Sequence, residues 1–250
     1  MKLSNSELLR YSKQIVLKKV GIIGQNKIAS ARVLIVGIGG LGCPLLLYLV
    51  NTGLGNIGII DDDKVDLSNL NRQIIFNQTD IGKLKVTQAK KFVNKINKRV
   101  KVNTYKNKLT EKNIEKILSK YEIICDCSDN FTTRYLVNDY SLKNKKILIS
   151  AAISKFEAHI FNFDFKKNVP CYRCFMPEMP SVENKCDTEG ILPTVAGIAG
   201  TLQANEVIKS ILTKKNEMAG KMIVFDTLSL NFKKIKLTKD SKCTKDCKRK

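Results

Sequence analysis

A glycine-rich turn between two short apolar runs constrains the fold of this chain more than any other feature. The first run, Val33 to Val36, is rich in β-branched residues and predicts a buried parallel strand. It leads into GIGGLG at 37–42, then an apolar helix, and then a second apolar run, Ile57 to Ile60, that ends at Asp61. Glycines allow a tight turn and bring backbone N–H groups close to a phosphate, which the helix N-terminus also attracts. We therefore predict a nucleotide-binding turn, with Asp61 on a ribose hydroxyl.

Strand and helix patterns alternate through the first half of the chain. Besides the elements around the glycine turn, we expect strands over 100–105, 123–127 and 146–152, and helices over 83–96, 110–119 and 131–142. This alternation predicts an α/β fold with a Rossmann-like, doubly wound and mostly parallel sheet.

The pattern changes after residue 152. A strand over 157–165, a buried helix over 192–212 and a closing pair of strands at 222–225 and 232–237 predict an antiparallel extension of the sheet.

Residues 1–30 form an N-terminal helical segment in this interpretation, and residues 31–250 form the single main domain. Residues 5–18 carry apolar side chains at helical spacing and predict an amphipathic helix. Gly21 and Gly24 interrupt this pattern, and a shorter helix is expected from about residue 25 to residue 31.

The composition excludes several classes of protein. No apolar run reaches the roughly 18–20 residues of a membrane span, and the N-terminus lacks the apolar core of a signal peptide. The formal net charge is +21, but most of the excess is Lys scattered along the chain, whereas nucleic-acid readers favour clustered Arg with aromatic residues. We therefore expect a soluble cytoplasmic protein with no membrane partner and no nucleic-acid partner.

Polar residues lie where the predicted parallel strands end, which is the edge at which open α/β sheets bind their ligands. These residues are Asp61, Asp63, Asn69, Arg72, Lys85, Asp129 and Asn130. Lys and Arg neutralise phosphate charge, and carboxylates hold Mg²⁺. Such a set is more than a dinucleotide needs, so it favours a nucleoside triphosphate with Mg²⁺.

Four of the eight cysteines form two close pairs. Cys171 and Cys174 have C-x2-C spacing, and Cys243 and Cys247 have C-x3-C spacing. Both spacings suit zinc ligands, and four thiolates leave no open position for water, so we predict a structural zinc site. Free thiols in the tail are the alternative.

The other chemically notable residues are isolated in sequence. Cys186 lies in a loop-like stretch beside Lys185, where it could be a nucleophile or an incidental thiol. Cys43, Cys125 and Cys127 lie in apolar runs and are expected in the core. We interpret the single histidine, His159, as an ordinary strand residue that is too isolated to anchor a nucleophile pair.

Taken together, these motifs resemble the ubiquitin-activating enzyme superfamily, and within it the ThiF/MoeB-type adenylyltransferases of sulfur-carrier proteins. The matching stretches, in order, are RYSKQI (10–15), VLIVGIGGLGCP (33–44), DDDKVDLSNLNRQ (61–73), GKLKV (82–86), CDCSDNFTTRY (125–135), PCYRC (170–174), CDTEG (186–190) and GIAGTLQANEVIK (197–209). They span nearly the whole chain, which makes the resemblance more specific than any one motif.

The resemblance implies that residues 31–250 are an ATP-binding adenylation domain. Together with the glycine-turn pattern, it places the following residues against ATP or Mg²⁺: Gly37, Gly39, Gly40, Gly42, Asp61, Asp63, Ser68, Asn69, Arg72, Lys85, Asp129 and Asn130. The residues with implied catalytic roles are Arg72, Lys85, Asp129 and Cys186. Cys186 falls at the position that forms a thioester or persulfide with the carrier in some members. The implied zinc ligands are Cys171, Cys174, Cys243 and Cys247.

Two positions depart from the family pattern. Lys13 stands where relatives carry an Arg that reaches the nucleotide site of the neighbouring subunit. Lys keeps the charge but loses the bidentate fork of Arg. The second cysteine pair is usually C-x2-C, so the extra residue here bears on whether Cys247 is a ligand.

The implied activity is ATP-dependent adenylation of the C-terminal Gly-Gly carboxylate of a ubiquitin-like sulfur carrier of the molybdopterin-synthase or thiamine-biosynthesis type. A homodimer and a separate sulfur donor are implied with it. Three alternatives remain open from the residues. One is an NAD(P)-dependent oxidoreductase, which explains the glycine turn but not Arg72, Lys85 or the cysteine pairs. Another is a relative that adenylates a carboxylate on a tRNA base. The third is a catalytically silent binding scaffold.

Overall fold

The predicted alternation is found in the computed structural model, which describes residues 3–180, 190–213 and 215–243. The strands of these residues are β1 Arg32–Val36, β2 Asn56–Ile60, β3 Lys101–Tyr105, β4 Ile123–Asp126, β5 Ile147–Ser154, β6 Glu157–Asp164, β7 Lys221–Asp226 and β8 Asn231–Lys236. The helices are α1 Asn5–Arg10, α2 Ser12–Ile15, α3 Gly21–Ser30, α4 Gly42–Asn51, α5 Lys85–Ile96, α6 Ile114–Leu118, α7 Phe131–Lys143, α8 Tyr172–Phe175 and α9 Pro193–Leu212.

The strands form one sheet in the order β3-β2-β1-β4-β5-β6-β7-β8. The first five strands of this order run parallel, and β6, β7 and β8 continue the sheet antiparallel. The sheet therefore confirms the Rossmann-like α/β fold and its antiparallel extension. The strand order reverses direction between β1 and β4, and such a switch point opens a crevice at the carboxyl ends of the strands.

The sheet is buried on both faces. Val33 and Ile35 face a core with α4, α5 and α9, whereas Leu34 and Val36 face a second core with α6 and α7. These β1 side chains are at most 3% exposed. Each fully buried aliphatic side chain contributes about 1.5–3 kcal/mol, so the continuous apolar run of β1 follows from burial on two sides.

Helix α9 is buried as predicted, and it packs closely on α4. A Cβ on Gly200 would lie 2.4 Å from the Leu41 carbonyl oxygen and 2.5 Å from Pro44 Cγ. Glycine at this position therefore permits a helix contact that any side chain would prevent. The contact fixes the start of α4, which follows the glycine turn.

Two expectations for the N-terminal segment are wrong. The helix expected over 5–18 is divided into α1 and α2 at Tyr11, with Ser4 and Glu7 forming a capping box at the start of α1. Gly24 does not interrupt a helix, because it lies within α3, whereas Gly21, with a φ of +56°, separates α3 from α2 as expected. A Cβ on Gly24 would lie 2.7 Å from Leu212 Cδ2, so this glycine lets α3 approach α9.

Other boundaries shift more modestly. The helix expected from Thr110 begins only at Ile114, since the Thr110 N–H is held by the Asn113 side chain in the preceding turn.

Among the described residues, no helix is long and apolar enough to cross a bilayer.

Candidate active site

The glycine turn is held in shape by contacts that only glycine permits. Gly37 has a φ of +89°, in the left-handed region, and a Cβ there would lie 2.9 Å from the Cys127 carbonyl oxygen. A Cβ on Gly42 would lie 2.2 Å from the Gly37 carbonyl oxygen. Gly42 therefore closes the turn and does not line the cavity that the turn borders.

Asp61 holds the turn from the end of β2. Its Oδ2 accepts a hydrogen bond from the Ile38 N–H at 2.8 Å, and its Oδ1 accepts one from the Asp63 N–H at 2.8 Å. Burial raises the pKa of Asp61, and the charge of Lys85 and these two N–H groups oppose that rise. Asp61 thus stabilises the turn in addition to the ribose contact predicted for it. Its carboxylate oxygens have further lone pairs, so they can still accept a hydrogen bond from a ribose hydroxyl.

A cavity of about 520 Å³ opens at the carboxyl ends of β1, β2, β4 and β5. The predicted residues that line it are Gly37, Gly39, Gly40, Asp61, Asp63, Asn69, Arg72, Lys85, Asp129 and Asn130. The fold thus brings together most of the set that the sequence suggested. The lining does not include Ser68, which hydrogen-bonds Asp66 at 2.6 Å, or Lys13, which is exposed on α2.

The two predicted cations approach the cavity differently. Lys85 is buried at the start of α5, and its Nζ lies 2.8 Å from Asp63 Oδ2. Arg72 is half-buried, and its Nη1 donates to the Ser68 carbonyl oxygen at 3.0 Å. The side chain of Arg72 passes so near Gly40 that a Cβ there would lie 3.3 Å from Arg72 Cγ. Arg72 is thereby held across the glycine turn, where it can meet a phosphate.

Acidic groups border the same cavity. Asp61, Asp62 and Asp63 each present a carboxylate oxygen within 4.8 Å of the others. Asp129 is exposed at the opposite wall, immediately before the N-terminus of α7, where Asn130 caps the helix through the Thr133 N–H. Since Asp61 and Asp63 are already engaged, Asp62 and Asp129 are the exposed carboxylates of the cavity lining that could hold a divalent cation.

The cavity wall holds a second buried cation, which was not predicted from the sequence. Arg134 is 5% exposed on α7, and its Nη2 donates to the carbonyl oxygens of Ser128 and Ala151, both at 2.9 Å. Its Nε lies 3.5 Å from Asp126 Oδ2. The available signal was an Arg one helical turn after Asn130, on a helix that begins at the site.

Two buried polar atoms in the cavity wall have no hydrogen-bond partner among the described residues. They are Arg134 Nη1 and Gln73 Oε1. Because an unpaired buried polar group costs free energy, such atoms indicate contact with a ligand or water. The unpaired donor of Arg134 and the unpaired acceptor of Gln73 therefore fit a polar ligand in this cavity.

His159 lies on a strand, β6, as expected. It also lines the cavity with Glu157, and its Nε2 lies 2.5 Å from Glu157 Oε1. The alternation of side chains along the strand did not indicate that His159 lines the cavity, because only the folded sheet shows that this part of β6 borders it. Cys127 also reaches the cavity wall, although it is 7% exposed as expected for a core residue.

A second cluster lies away from the cavity, where the C-terminal segment meets α8. Cys171 Sγ lies 3.9 Å from Cys174 Sγ and 3.5 Å from Cys243 Sγ. Tetrahedral zinc with bonds of about 2.3 Å separates its sulfur ligands by about 3.8 Å, so these three thiols already have ligand spacing. Cys247 and Cys186 lie outside the described residues, and their predicted roles stay predictions.

The surroundings of the cluster shift the pKa values of its thiols in opposite directions. Burial opposes ionisation of Cys174, but hydrogen bonds from the backbone N–H groups of Asp240 and Cys171 outweigh it and lower its pKa. Burial and the neighbouring sulfur of Cys171 raise the pKa of Cys243. A bound cation would stabilise all three thiolates together, which is the chemistry of a closed thiolate site.

Curated relatives match most of this chain. The adenylyltransferase and sulfurtransferase MOCS3 of Culex quinquefasciatus is 41% identical over 238 residues, which cover 94% of this chain and 54% of the relative. The protein of the same name from Dictyostelium discoideum is 39% identical over 246 residues, covering 96% and 57%. The chain thus spans about half the length of the curated relatives it matches.

Solved structures share the fold at lower identity. E. coli MccB with MccA-N7isoASN has a TM-score of 0.85 at 23% identity, over 98% of this chain and 75% of that one. E. coli MccB with ATP has a TM-score of 0.81 at 23% identity, over 97% and 74%. The ThiF family model matches residues 11–245, nearly the whole chain, in agreement with the motifs from which the resemblance was inferred. The chain therefore belongs to the ThiF family.

Proposed function

We propose that this protein adenylates the C-terminal Gly-Gly carboxylate of a ubiquitin-like sulfur carrier, of the molybdopterin-synthase or thiamine-biosynthesis type, and releases pyrophosphate. The observation that carries the proposal is the convergence of Arg72, Lys85 and Asp129 on one cavity beside the glycine turn. The curated relatives named MOCS3 are described as adenylyltransferases and sulfurtransferases, which supports both the reaction and its link to sulfur transfer.

The residues of the cavity fit ATP better than a dinucleotide. A triphosphate carries more negative charge than a pyrophosphate bridge, and the cavity supplies two cations beside the glycine turn. The solved E. coli MccB structure with ATP supports this choice by its shared fold. Asp61 would hydrogen-bond the ribose, and the glycine turn would take the phosphates.

In the proposed reaction, a carboxylate oxygen of the carrier forms a bond to the α-phosphorus of ATP. The bond from that phosphorus to the oxygen shared with the β-phosphate breaks, so pyrophosphate leaves and an acyl-adenylate forms. The carboxylate is already ionised at neutral pH, so the step needs no general base. Arg72 and Lys85 would offset the charge that develops on the departing pyrophosphate.

Asp129 would hold Mg²⁺ with help from the Asp61–Asp63 stretch, since these carboxylates border the cavity. When bound, Mg²⁺ supplies positive charge against the phosphates. Asp63 also pairs with Lys85, so it orients the cation that faces the phosphates.

The NAD(P)-dependent oxidoreductase is the alternative that the glycine turn alone would allow. Isothermal calorimetry separates the two functions. We expect ATP with Mg²⁺ to bind and NADH not to bind, because the cations beside the turn match a triphosphate. Binding of NADH without measurable affinity for ATP would contradict the proposed function.

We propose structural zinc at Cys171, Cys174, Cys243 and Cys247, for which the spacing of the three described thiols is the support. Metal analysis should find about one zinc per chain, as one tetrahedral site requires. Cys171→Ser should lose most of this zinc and lower the melting temperature, because the C-terminal segment is no longer attached to α8.

Cys125→Ala is the matched control for this measurement. Cys125 is also a buried thiol, but it lies on β4 away from the cluster and should keep full zinc occupancy. Full zinc in Cys171→Ser would rule out the proposed ligand set.

A homodimer is the assembly that we propose. The N-terminal helices present Leu9, Val16 and Ile23, which are between 76% and 79% exposed. Large exposed apolar side chains grouped on one segment are typical of an interaction surface. Lys13 lies on the same segment, and the family resemblance implies that it reaches the nucleotide site of the second copy. A separate protein would donate the sulfur.

A further inference from the structure

His159 and Glu157 form a pair in the cavity wall that the proposed adenylation step does not use. Both side chains line the cavity, and His159 Nε2 lies 2.5 Å from Glu157 Oε1. The carboxylate that attacks ATP is already ionised, so adenylation has no proton for a base to remove. Histidine is the side chain best suited to take up a proton near neutral pH, and this chain has only one.

The register of β5, β6 and β7 fixes where the pair lies. His159 is opposite Ala152 on β5 and Val224 on β7, and Glu157 is opposite Ser154 on β5. Alternate residues of a strand face the same side of the sheet, so the two side chains stand next to each other. Because Ala152 and Ser154 also line the cavity, the pair lies at the end of β6 that opens into it.

Two aromatic rings hold the imidazole in place. The His159 ring makes edge-to-face contacts with Phe161 and Phe175, with ring centroids 6.3 and 6.5 Å apart. Phe161 is buried, whereas the side chain of His159 is 31% exposed. The imidazole is therefore supported by the core and accessible from the cavity that it lines.

Glu157 determines which ring nitrogen is free. When a neutral imidazole donates its Nε2–H to the carboxylate, the basic lone pair is on Nδ1. Nδ1 of His159 has no hydrogen-bond partner among the residues that the structure describes. A base that is oriented by a carboxylate and has its second nitrogen free is the arrangement that activates hydroxyl and thiol nucleophiles in enzymes.

Other charged groups on this face of the sheet are not in contact with the ring. Asp226 lies opposite Glu157 on β7, where backbone N–H groups of the following turn already hold its carboxylate. Lys233 lies one strand further away, on β8. On the helices that cover this face, Arg134 and Arg173 form ion pairs with aspartates. Glu157 is thus the charged group that orients the imidazole.

We propose that His159, oriented by Glu157, is the general base for the thiol that consumes the acyl-adenylate. The inference rests on the proposed function, because it concerns the step that follows adenylation. The sulfur forms a bond to the acyl carbon, and its proton passes to Nδ1 of His159. The bond from the acyl carbon to the phosphate oxygen breaks, so AMP leaves with that electron pair and a thioester forms.

The size of the effect follows from the ionisation of thiols. An ordinary thiol has a pKa of about 8.5, so roughly 3% of it is ionised at pH 7. Without the base only this fraction reacts, and the rate should therefore fall by at most about 30-fold. A sulfur nucleophile that is already ionised should not need the base.

The test starts from the acyl-adenylate, formed on the protein with ATP, Mg²⁺, a Gly-Gly carrier and pyrophosphatase. Either mercaptoethanol, which is mostly protonated at pH 7, or pentafluorothiophenol, which is ionised, is then added. Mass spectrometry follows the carrier thioester. His159→Gln should slow the reaction with mercaptoethanol by about 10- to 30-fold and change that with pentafluorothiophenol by less than about twofold. Carrier-dependent ATP–pyrophosphate exchange shows that the variant is folded.

Glu157→Gln tests the orientation of the ring. The amide keeps the length of the side chain but loses the charge that holds the Nε2–H. It should slow the reaction with mercaptoethanol by less than His159→Gln does, and it should leave the reaction with pentafluorothiophenol unaffected. A residue with a merely structural role would not distinguish a protonated nucleophile from an ionised one.

The outcomes separate the inference from the function. Equal slowing of both nucleophiles in His159→Gln, or slowing of neither, would overturn the role as a base and leave adenylation intact. Loss of pyrophosphate exchange in this variant would also overturn it, because His159 would then act in adenylation. Absence of exchange in the unaltered protein with every Gly-Gly carrier would overturn the proposed function as well.

Discussion

Arg72→Ala is expected to lower the rate of adenylation at saturating ATP by about 10²–10³-fold, the loss typical of one preorganised charge-stabilising group. Arg72 lies across the glycine turn beside Gly40, and its guanidinium is oriented by the Ser68 carbonyl oxygen and the Asn71 side chain. It is therefore held before ATP arrives. Charge on the departing pyrophosphate grows only as the reaction proceeds, so the loss should fall mainly on kcat.

Arg32→Ala provides the matched control. Arg32 is the first residue of β1, at the amino ends of the strands and thus opposite the cavity. There it forms an exposed ion pair with Glu122 at 3.0 Å. Its removal changes the same charge without touching the cavity, and an exposed pair contributes at most about 1 kcal/mol. Pyrophosphate-exchange kinetics of the two variants give the comparison. Equal rates in Arg72→Ala and Arg32→Ala would show that Arg72 has no part in the reaction.

Gly200→Ala is expected to destabilise the protein by about 1–3 kcal/mol, as overpacking of a close contact does. The added methyl would lie 2.4 Å from the Leu41 carbonyl oxygen, and a backbone atom cannot rotate away. Helix α9 must then move from α4. Because Leu41 lies in the glycine turn and lines the cavity, ATP affinity should fall as well.

Gly197→Ala is the matched control on the same helix, α9. A Cβ at Gly197 meets nothing within 4 Å, and alanine favours a helix over glycine by up to about 1 kcal/mol. Urea denaturation should thus show opposite changes in the free energy of unfolding for the two variants. If both alanines had the same effect, the contact between α9 and the turn would not be the reason for glycine at position 200.

The sequence was most informative where local chemistry has few solutions. The turn from Gly37 to Gly42 needs glycine for backbone reasons, and β1 needs a continuous apolar run because helices cover both faces. Such requirements act on neighbouring residues, so they are visible as a pattern in the sequence. The parallel order of β1, β2 and β4 then brought Asp61, Lys85 and Asp129 to one edge, as the topology rules predict.

The sequence was least informative where packing between distant segments decides. Gly24 looks like a helix breaker in sequence, but it lies within α3 and packs beside the side chain of Leu212, far along the chain. His159 gave no local signal, because only the folded sheet brings this part of β6 to the cavity. No sequence pattern indicates that the two oxygens of Asp61 also hold the turn through Ile38 and Asp63.

The central claim is adenylation of a carrier's carboxylate, and ATP–pyrophosphate exchange measures it most directly. Labelled pyrophosphate should enter ATP only when a ubiquitin-like protein ending in Gly-Gly is present, since the exchange requires the acyl-adenylate to form and reverse. A carrier without its final glycine should give no exchange. Exchange that proceeds equally without any carrier, or none with carriers of either the molybdopterin or the thiamine type, would contradict this account.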